Sequence, residues 1–468
     1  MSDSADAARR RRHRNERIVA TMVVLLFAGA AAWIVQWSRN TREELSGAYV
    51  PRVTEITPEI RMLQEYVRID TSTPAGAAAG ARWLAAQLRA RGIEPELIQS
   101  APDRLNVYAR IRGRRPGEGL LLFNHIDVVP PGGEWTHPPF AANIAFNQMY
   151  GRGTVDMKGV AICQLLAFAD LARTTPEHDV VFLATADEET GSTYGMKWLL
   201  EHRPDVFANI RYGITEGGIT EMMTERMTYF GIEVGGKQFV ELEAEGEDVE
   251  SMRKARFALE PYMFPREAER VLPEVRRYFR DIAPTRYAFR PLLADIDKTI
   301  ADGKFWILPE PYRDVTQNTV WASAPLRRDG RWMMIIRLVN LPDERPAERI
   351  AAIAKIIEPY GLRVARVNQQ EGPVPFSTDQ TRLFAILRDE ARRRYHVDAG
   401  VIVLYRSTSD ARFLRPRGIV CYGISPFPVN YYQSRSIHNR DERIQLDAFM
   451  EGIGYMRGVV AEWAAGAA

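Results

Sequence analysis

Cysteine is almost absent from this sequence of 468 residues, which contains only Cys163 and Cys421. Two cysteines cannot supply the disulfide framework that holds small secreted proteins together, and neither belongs to a Cys-x-x-Cys pair of the kind that binds soft metals. Both lie in apolar stretches, which predicts buried thiols in the core. A metal site in this chain therefore has to be built from histidine and carboxylate side chains.

An excess of charge of one sign is also missing. The 62 Lys and Arg residues nearly balance the 60 Asp and Glu residues, which leaves a formal net charge of +2. This balance gives no electrostatic reason to expect a nucleic acid or another polyanion as a partner. The contents of 46% hydrophobic and 26% charged residues are those of an ordinary globular protein. We expect a small molecule as the partner.

A long uncharged and mostly hydrophobic run extends from residue 18 to residue 37. A helix of this length can cross a bilayer, and a basic flank keeps the amino end in the cytoplasm. The sequence predicts a cytoplasmic basic stub over residues 1–17, a transmembrane anchor over 18–37 and a tether over 38–55, with the remaining chain outside the cytoplasm. The alternative is a signal peptide cleaved after the alanines of the run, which would secrete the protein. The basic flank consists of Arg9, Arg10, Arg11, Arg12, Arg14 and Arg17.

After the tether, apolar strand-like runs alternate with amphipathic helical patterns, which is typical of a mostly parallel sheet flanked by helices. This alternation covers residues 56–234 and returns over residues 345–468. Between them, residues 235–344 hold two strand candidates on either side of a helical stretch rich in Arg, Glu and Pro. We predict an α/β domain built from these two parts of the sequence, with an α+β domain inserted between them.

Acidic residues and histidines form four clusters just after apolar strand-like runs. The clusters are His125 with Asp127, Asp156 in a glycine-rich segment, Glu188 with Glu189, and Glu216. One such residue at a strand end is usually a capping or solvated group. In an open α/β sheet, however, the carboxyl edge of the strands is where ligand sites form. The repeated pattern therefore predicts one site that is built from several strand ends.

His438, near the carboxyl end of the chain, completes this set. The two histidines together with three of the carboxylates would make a ligand set that suits zinc, and one carboxylate can bridge two ions.

The spacing within the set assigns different tasks to its members. His125 and Asp127 are two residues apart on an extended segment, so their side chains leave on one face and the Asp127 carboxylate can hold the second ring nitrogen of His125. Glu188 and Glu189 are adjacent and point in opposite directions. One of them can bind metal while the other transfers a proton.

Six segments follow one another along the sequence, and all but the fifth carry these residues: His-Ile-Asp-Val-Val-Pro, Gly-Arg-Gly-Thr-Val-Asp-Met-Lys-Gly, Asp-Glu-Glu-Thr-Gly-Ser, Glu-Gly-Gly, Ser-Asp-Ala-Arg and Ile-His-Asn-Arg-Asp-Glu. In this order they resemble the motifs of the co-catalytic dinuclear zinc exopeptidases, a family that includes aminoacylase, bacterial glutamate carboxypeptidase, acetylornithine deacetylase and succinyl-diaminopimelate desuccinylase. The resemblance covers roughly residues 55–235 and 345–465.

The resemblance implies that two Zn²⁺ ions bind per chain, with Co²⁺ or Mn²⁺ as alternatives. It places His125 and Glu216 on one ion, Glu189 and His438 on the other, and Asp156 between the two as the bridge. It also implies a cis peptide bond after Asp156 and a small peptide or N-acyl amino acid as the substrate. By the same resemblance, the two-part domain is the catalytic domain and the inserted domain is a lid. The family often forms homodimers through this lid, and the atypical lid of this chain leaves its dimerisation open.

Two more roles follow from the resemblance. Glu188 is the expected general base, which takes a proton from the attacking water and returns it to the leaving amine. Arg412 is a candidate for binding a substrate carboxylate through its planar guanidinium, and a purely structural ion pair is the alternative.

The lid departs from the family's pattern. The family usually has a Gly-His-Ser-type motif there, whose histidine stabilises the oxyanion, but residues 203–395 contain no histidine and residues 243–254 occupy that place. Losing one oxyanion donor typically costs about 10² to 10³ in rate. Asn318, Arg253 and Lys254 are candidate replacements, with a solvated surface role as the alternative for each. The sequence thus supports a membrane-tethered two-zinc hydrolase, with a non-catalytic, metal-retaining ligand-binding protein as the second hypothesis.

Overall fold

The computed structural model describes residue 53 and residues 55–466, apart from residues 219, 224, 225, 371 and 405–407. The predicted basic stub and transmembrane anchor, and nearly all of the tether, lie outside this described part. Within it, the helices are too short or too polar to span a membrane.

The described helices and strands alternate over most of the chain. The helices are α1 Pro58–Arg68, α2 Pro74–Arg89, α3 Lys158–Ala169, α4 Met196–His202, α5 Val249–Met263, α6 Pro273–Ile282, α7 Arg290–Ala294, α8 Ile296–Ala301, α9 Glu310–Asp314, α10 Pro346–Ile357, α11 Arg382–Tyr395, α12 Ala411–Leu414, α13 Tyr431–Ser434 and α14 Leu446–Ala465. The strands are β1 Glu96–Ala101, β2 Arg104–Ile111, β3 Arg115–His125, β4 Asn143–Ala145, β5 Gln148–Tyr150, β6 His178–Thr185, β7 Ile210–Thr215, β8 Thr220–Met223, β9 Arg226–Gly236, β10 Gln238–Gly246, β11 Thr319–Ala322, β12 Leu326–Arg328, β13 Arg331–Asn340, β14 Arg363–Gln370, β15 Asp398–Leu404, β16 Val420–Gly423 and β17 Arg443–Gln445.

The larger sheet has nine strands in the order β1-β2-β6-β3-β7-β16-β9-β15, with β8 paired to β9. Strands β6, β3, β7 and β16 are parallel to one another, as are β9 and β15. The other pairings are antiparallel. The α/β class is confirmed, but the prediction of a mostly parallel sheet is wrong, since the sheet is mixed. Part of the difference is a tight hairpin between β1 and β2, because strands joined by so short a turn can only pair antiparallel.

Both faces of this sheet are buried, and the residues of β3 show it. Leu120 and Leu122 pack into a large core with residues of α1, α2, α3 and α14. Leu121 and Phe123 pack into a second core with residues of α4 and α12. Since alternate residues of a strand face opposite sides, burial of both faces explains why the sequence reads as a continuous apolar run. The cysteines are both buried and free, as predicted.

A smaller antiparallel sheet has the order β11-β13-β10-β14, with β12 paired to β13. One face packs on α5 and α10 through a separate apolar core. This core continues beyond residue 344, because α10 and β14 contribute to it. Helix α6, from the middle of the predicted lid, instead packs against β15 of the larger sheet. The domain boundaries predicted from the sequence stay a prediction.

Candidate metal centre

The site lies where three neighbouring strands end. Strands β6, β3 and β7 are adjacent and parallel, so their carboxyl ends lie at the same edge of the sheet. His125 is the last residue of β3, Glu216 directly follows β7, and Glu188 and Glu189 form a short turn after β6. Such an edge is the usual position of a ligand site in α/β proteins.

Asp156 lies between two histidines and presents one carboxylate oxygen to each. Its Oδ1 is 3.1 Å from His125 Nε2, and its Oδ2 is 3.0 Å from His438 Nε2. Glu216 Oε1 is 3.3 Å from His125 Nε2, and Glu189 Oε2 is 3.2 Å from His438 Nε2. The structure thus brings all five predicted ligands together in two groups that share one carboxylate.

These distances fit the donor set of two zinc ions. Zinc binds imidazole nitrogen and carboxylate oxygen at about 2.0 to 2.2 Å with tetrahedral geometry, so two ligand atoms on one ion lie roughly 3.3 Å apart. The nitrogen-to-oxygen distances of 3.0 to 3.3 Å in both groups agree with that spacing. The peptide bond between Asp156 and Met157 is cis, as the resemblance implied.

The electrostatics of the centre favour cations. Burial alone would lower the pKa of His125, but Glu216 and Asp156 hold it well above its usual range. Hydrogen bonds to Asp156 and Glu189 raise the pKa of His438 to about 10. Burial and the nearby charge of Asp156 raise the pKa of Glu216 well above its usual range. A crowded carboxylate cluster of this kind is stabilised by positive charge, which a divalent ion provides.

Asp127 acts differently from its predicted role. His125 Nδ1 lies 2.8 Å from the backbone carbonyl oxygen of Asp127, whereas the nearer carboxylate oxygen is 3.8 Å away. The carboxylate instead accepts the backbone N–H groups of Glu188 and Glu189 at 3.0 and 3.1 Å. The predicted hydrogen bond between carboxylate and ring is therefore wrong, because each oxygen of the carboxylate accepts one of these backbone N–H groups instead. Burial raises the pKa of Asp127 to about 7.

Glu188 forms a buried ion pair with Arg412. Its Oε1 accepts a hydrogen bond of 2.8 Å from Arg412 Nη1, and both side chains are at most 10% exposed. Asp410 lies 3.9 Å from Arg412 Nη2 and accepts hydrogen bonds from Ser192 and Thr185. The structure thus shows the ion pair that was the alternative for Arg412, and its role toward a substrate carboxylate stays a prediction.

The hydrogen bonds of the Asn318 side chain go to residues outside the metal centre. Its Nδ2 donates to Glu269 Oε2 at 2.5 Å and to Glu344 Oε1 at 3.1 Å, and its Oδ1 accepts the backbone N–H of Leu341 at 2.8 Å. These contacts join segments next to the smaller sheet. The Asn318 amide therefore stabilises the fold through these hydrogen bonds. A substrate role for Asn318 has no support from its surroundings.

Two buried charges inside the quoted motifs received no role from the sequence. Lys158 is fully buried and donates to the carbonyl oxygens of Tyr66 and Ile69 at 3.1 and 2.7 Å, and burial lowers its pKa to about 7. Glu442 is likewise fully buried, beside the segment that carries Asp156. Both residues belong to motifs that contain predicted metal ligands, and this position could have marked them from the sequence, since a buried charge needs a partner.

Fold and site together define an enzyme of the metallopeptidase type. The mixed sheet positions histidines and carboxylates at one edge, and the spacing of their ligand atoms fits metal ions. The chain belongs to peptidase family M20/M25/M40, whose sequence model matches residues 121–462. The family predicted from the six motifs is thereby confirmed.

Known relatives agree with this assignment. The chain is 36% identical over 149 residues to a succinyl-diaminopimelate desuccinylase of Gluconobacter oxydans, a match that covers 31% of this chain and 38% of the relative. The chain thus matches well under half the length of that protein.

Solved structures share the fold over most of the chain. An M20 family metallo-carboxypeptidase of Sulfolobus solfataricus superimposes with a TM-score of 0.68 at 17% identity, covering 87% of this chain and 99% of the other. Human carnosine dipeptidase 1 gives a TM-score of 0.66 at 14% identity, covering 87% and 96%. The comparisons support an enzyme and give no support to the non-catalytic alternative.

Proposed function

We propose that this chain is a two-zinc hydrolase that cleaves the amide bond of a small peptide or an N-acyl amino acid. The observation that carries the proposal is the position of Asp156, with one oxygen 3.1 Å from His125 and the other 3.0 Å from His438. A carboxylate shared between two nitrogen and oxygen donor groups is suited to hold two ions side by side. Co²⁺ or Mn²⁺ can fill the same donor set.

The residues around the metal centre have separate roles in the reaction. Bound zinc ions supply Lewis acidity and favour the deprotonated form of water at neutral pH. Glu188 accepts the proton of the attacking water and returns it to the leaving amine. Arg412 holds the Glu188 carboxylate in one orientation through the 2.8 Å ion pair, and Asp127 fixes the backbone that carries it. A substrate carboxylate near this place would meet the same guanidinium.

Removal of metal is expected to stop hydrolysis, and its return to restore it. We expect the untreated chain to cleave at least one member of a panel of dipeptides, N-acetyl and N-succinyl amino acids, because the relatives above include a dipeptidase, a carboxypeptidase and a desuccinylase. Chelation should abolish the rate of hydrolysis, and added Zn²⁺ should restore most of it. The measurement is the rate at which product is released. Full activity after chelation, with no metal remaining, would contradict the proposal.

We also propose that residues 18–37 anchor the enzyme in a membrane with its catalytic part outside the cytoplasm. The support is the uncharged run behind six arginines. After expression of the full chain in bacteria, alkaline carbonate should leave it in the membrane pellet, and protease added to spheroplasts should digest the catalytic part. Release of a shortened chain into the periplasm would instead establish the cleaved signal peptide.

A further inference from the structure

Glu442 is a fully buried carboxylate with four hydrogen-bond donors around it. Its Oε1 accepts the backbone N–H groups of Val155 at 2.9 Å and Asp156 at 3.2 Å. Its Oε2 accepts the backbone N–H of Gly153 at 3.0 Å and Arg152 Nη1 at 2.7 Å. Both oxygens are therefore bound by one short segment, the segment that ends in the shared metal ligand.

The same glutamate belongs to the loop that carries His438. That loop follows α13 and leads into β17, and the backbone oxygen of Glu442 accepts the N–H of Gly151 at 2.8 Å. Side chain and backbone of Glu442 thus join the two loops that supply Asp156 and His438. These loops are almost 300 residues apart in the sequence, yet their ligand atoms lie 3.0 Å apart.

We propose that Glu442 is a positioning residue that sets Asp156 against His438 and thereby fixes the geometry of both metal sites. This inference rests on the proposed two-zinc function. The connection between Glu442 and the Asp156 segment is short and rigid. Three of the four donors are backbone N–H groups, and the fourth, Arg152, forms an ion pair with Glu442 in which both side chains are at most 1% exposed. A carboxylate held this way passes its own position directly to the backbone of Asp156.

Glu442→Gln tests the idea with the smallest change of shape. The amide has only one acceptor oxygen, so its NH₂ group must face N–H donors, and Arg152 loses its buried counter-charge. Residues that orient metal ligands typically contribute 10- to 100-fold to metal affinity. We expect Glu442→Gln to weaken zinc binding by about 10- to 100-fold, and to alter the visible absorption spectrum of the cobalt-substituted protein, since ligand geometry determines that spectrum.

Asp179→Asn is the matched control. Asp179 is also a buried carboxylate that accepts an arginine, Arg110 at 2.8 Å, and a backbone N–H, that of Gly113 at 2.8 Å. It lies near the amino end of β6, roughly 20 Å along the strand from the site. We expect both variants to lose thermal stability, because each removes a buried counter-charge of an arginine, but Asp179→Asn should keep wild-type zinc affinity and the wild-type cobalt spectrum.

Zinc affinity is measured by competition with a chromophoric chelator on the full-length chain. Equal affinities for wild type and Glu442→Gln would overturn the inference while leaving the proposed function intact. A wild-type chain that binds no zinc would instead contradict the proposed function itself. Should Glu442→Gln not fold, Glu442→Asp, which keeps the charge but shortens the reach, carries the same measurement. Wild-type affinity and cobalt spectrum in that variant would also overturn the inference.

Discussion

Replacing Glu188 with alanine is expected to lower kcat by about 10² to 10⁴ while leaving the zinc content unchanged, because a positioned general base contributes a factor of that size. Glu188 bonds to Arg412 at 2.8 Å, and the proposed ligand positions are filled by other residues. The measurement pairs kcat on the best substrate of the panel with elemental analysis of the purified variant.

Two variants sharpen this test. Glu188→Gln keeps the shape but cannot accept the proton, so it should be nearly as slow as the alanine variant. Glu189→Ala removes a proposed ligand and should lose zinc as well as turnover. Since Glu188 also lies within reach of His125 and Glu216 in an arrangement that could hold metal, loss of zinc from Glu188→Ala would show that it is a ligand and contradict its assignment as the base.

Asp156→Ala is expected to weaken the binding of both zinc ions together and to reduce kcat by a factor of about 10³ or more. Metal catalysis lowers the activation free energy by several kcal/mol, and each change of about 1.4 kcal/mol alters the rate tenfold. Both ions are affected because one carboxylate contacts both histidines. Zinc titration followed by calorimetry should show the loss of both high-affinity sites.

His438→Ala is the comparison for this prediction. His438 belongs to one group only, so its removal should leave one tight site, formed around His125, and weaken the other. Retention of two tight sites in Asp156→Ala would contradict the shared carboxylate. Loss of a single site in both variants would restrict Asp156 to one ion.

The sequence predicted the site better than it predicted the sheet. His125, Glu189 and Glu216 could be placed at one edge because each follows an apolar run, and parallel strands that are buried on both faces produce such runs. The antiparallel hairpin of β1 and β2 has no comparable run, since β1 has a single buried residue, Ile98, and the buried positions of β2 include the polar Asn106. The mixed character of the sheet was therefore missed.

Contacts that depend on backbone geometry could not be read from spacing. The alternation of side chains placed Asp127 beside His125, but its carboxylate accepts the backbone N–H groups of Glu188 and Glu189 instead. The role of Glu442 also depends on a loop from the far end of the chain reaching Asp156. The motif around His438 marks Glu442 as a charge to examine, but a contact across this sequence separation cannot be read from local spacing.

The smaller sheet shows the same limit. Strands β10 and β13 were expected because both have strand-like patterns near the ends of the predicted lid. Strand β14 pairs with β10 from a position beyond residue 344, and such long-range pairing is set by packing rather than by local sequence. Asn318 was predicted as a substrate-binding residue only because of its position in the lid. In the structure, its amide forms hydrogen bonds with neighbouring residues instead.

We propose that two metal ions are held in one centre by His125, Asp156, Glu189, Glu216 and His438. The most direct measurement is the metal content of the purified full-length chain by inductively coupled plasma mass spectrometry, after equilibration with zinc and removal of loosely bound ions. We expect two zinc ions per wild-type chain, and one in the His438→Ala variant. A wild-type chain that retains no metal after this treatment would contradict the proposal.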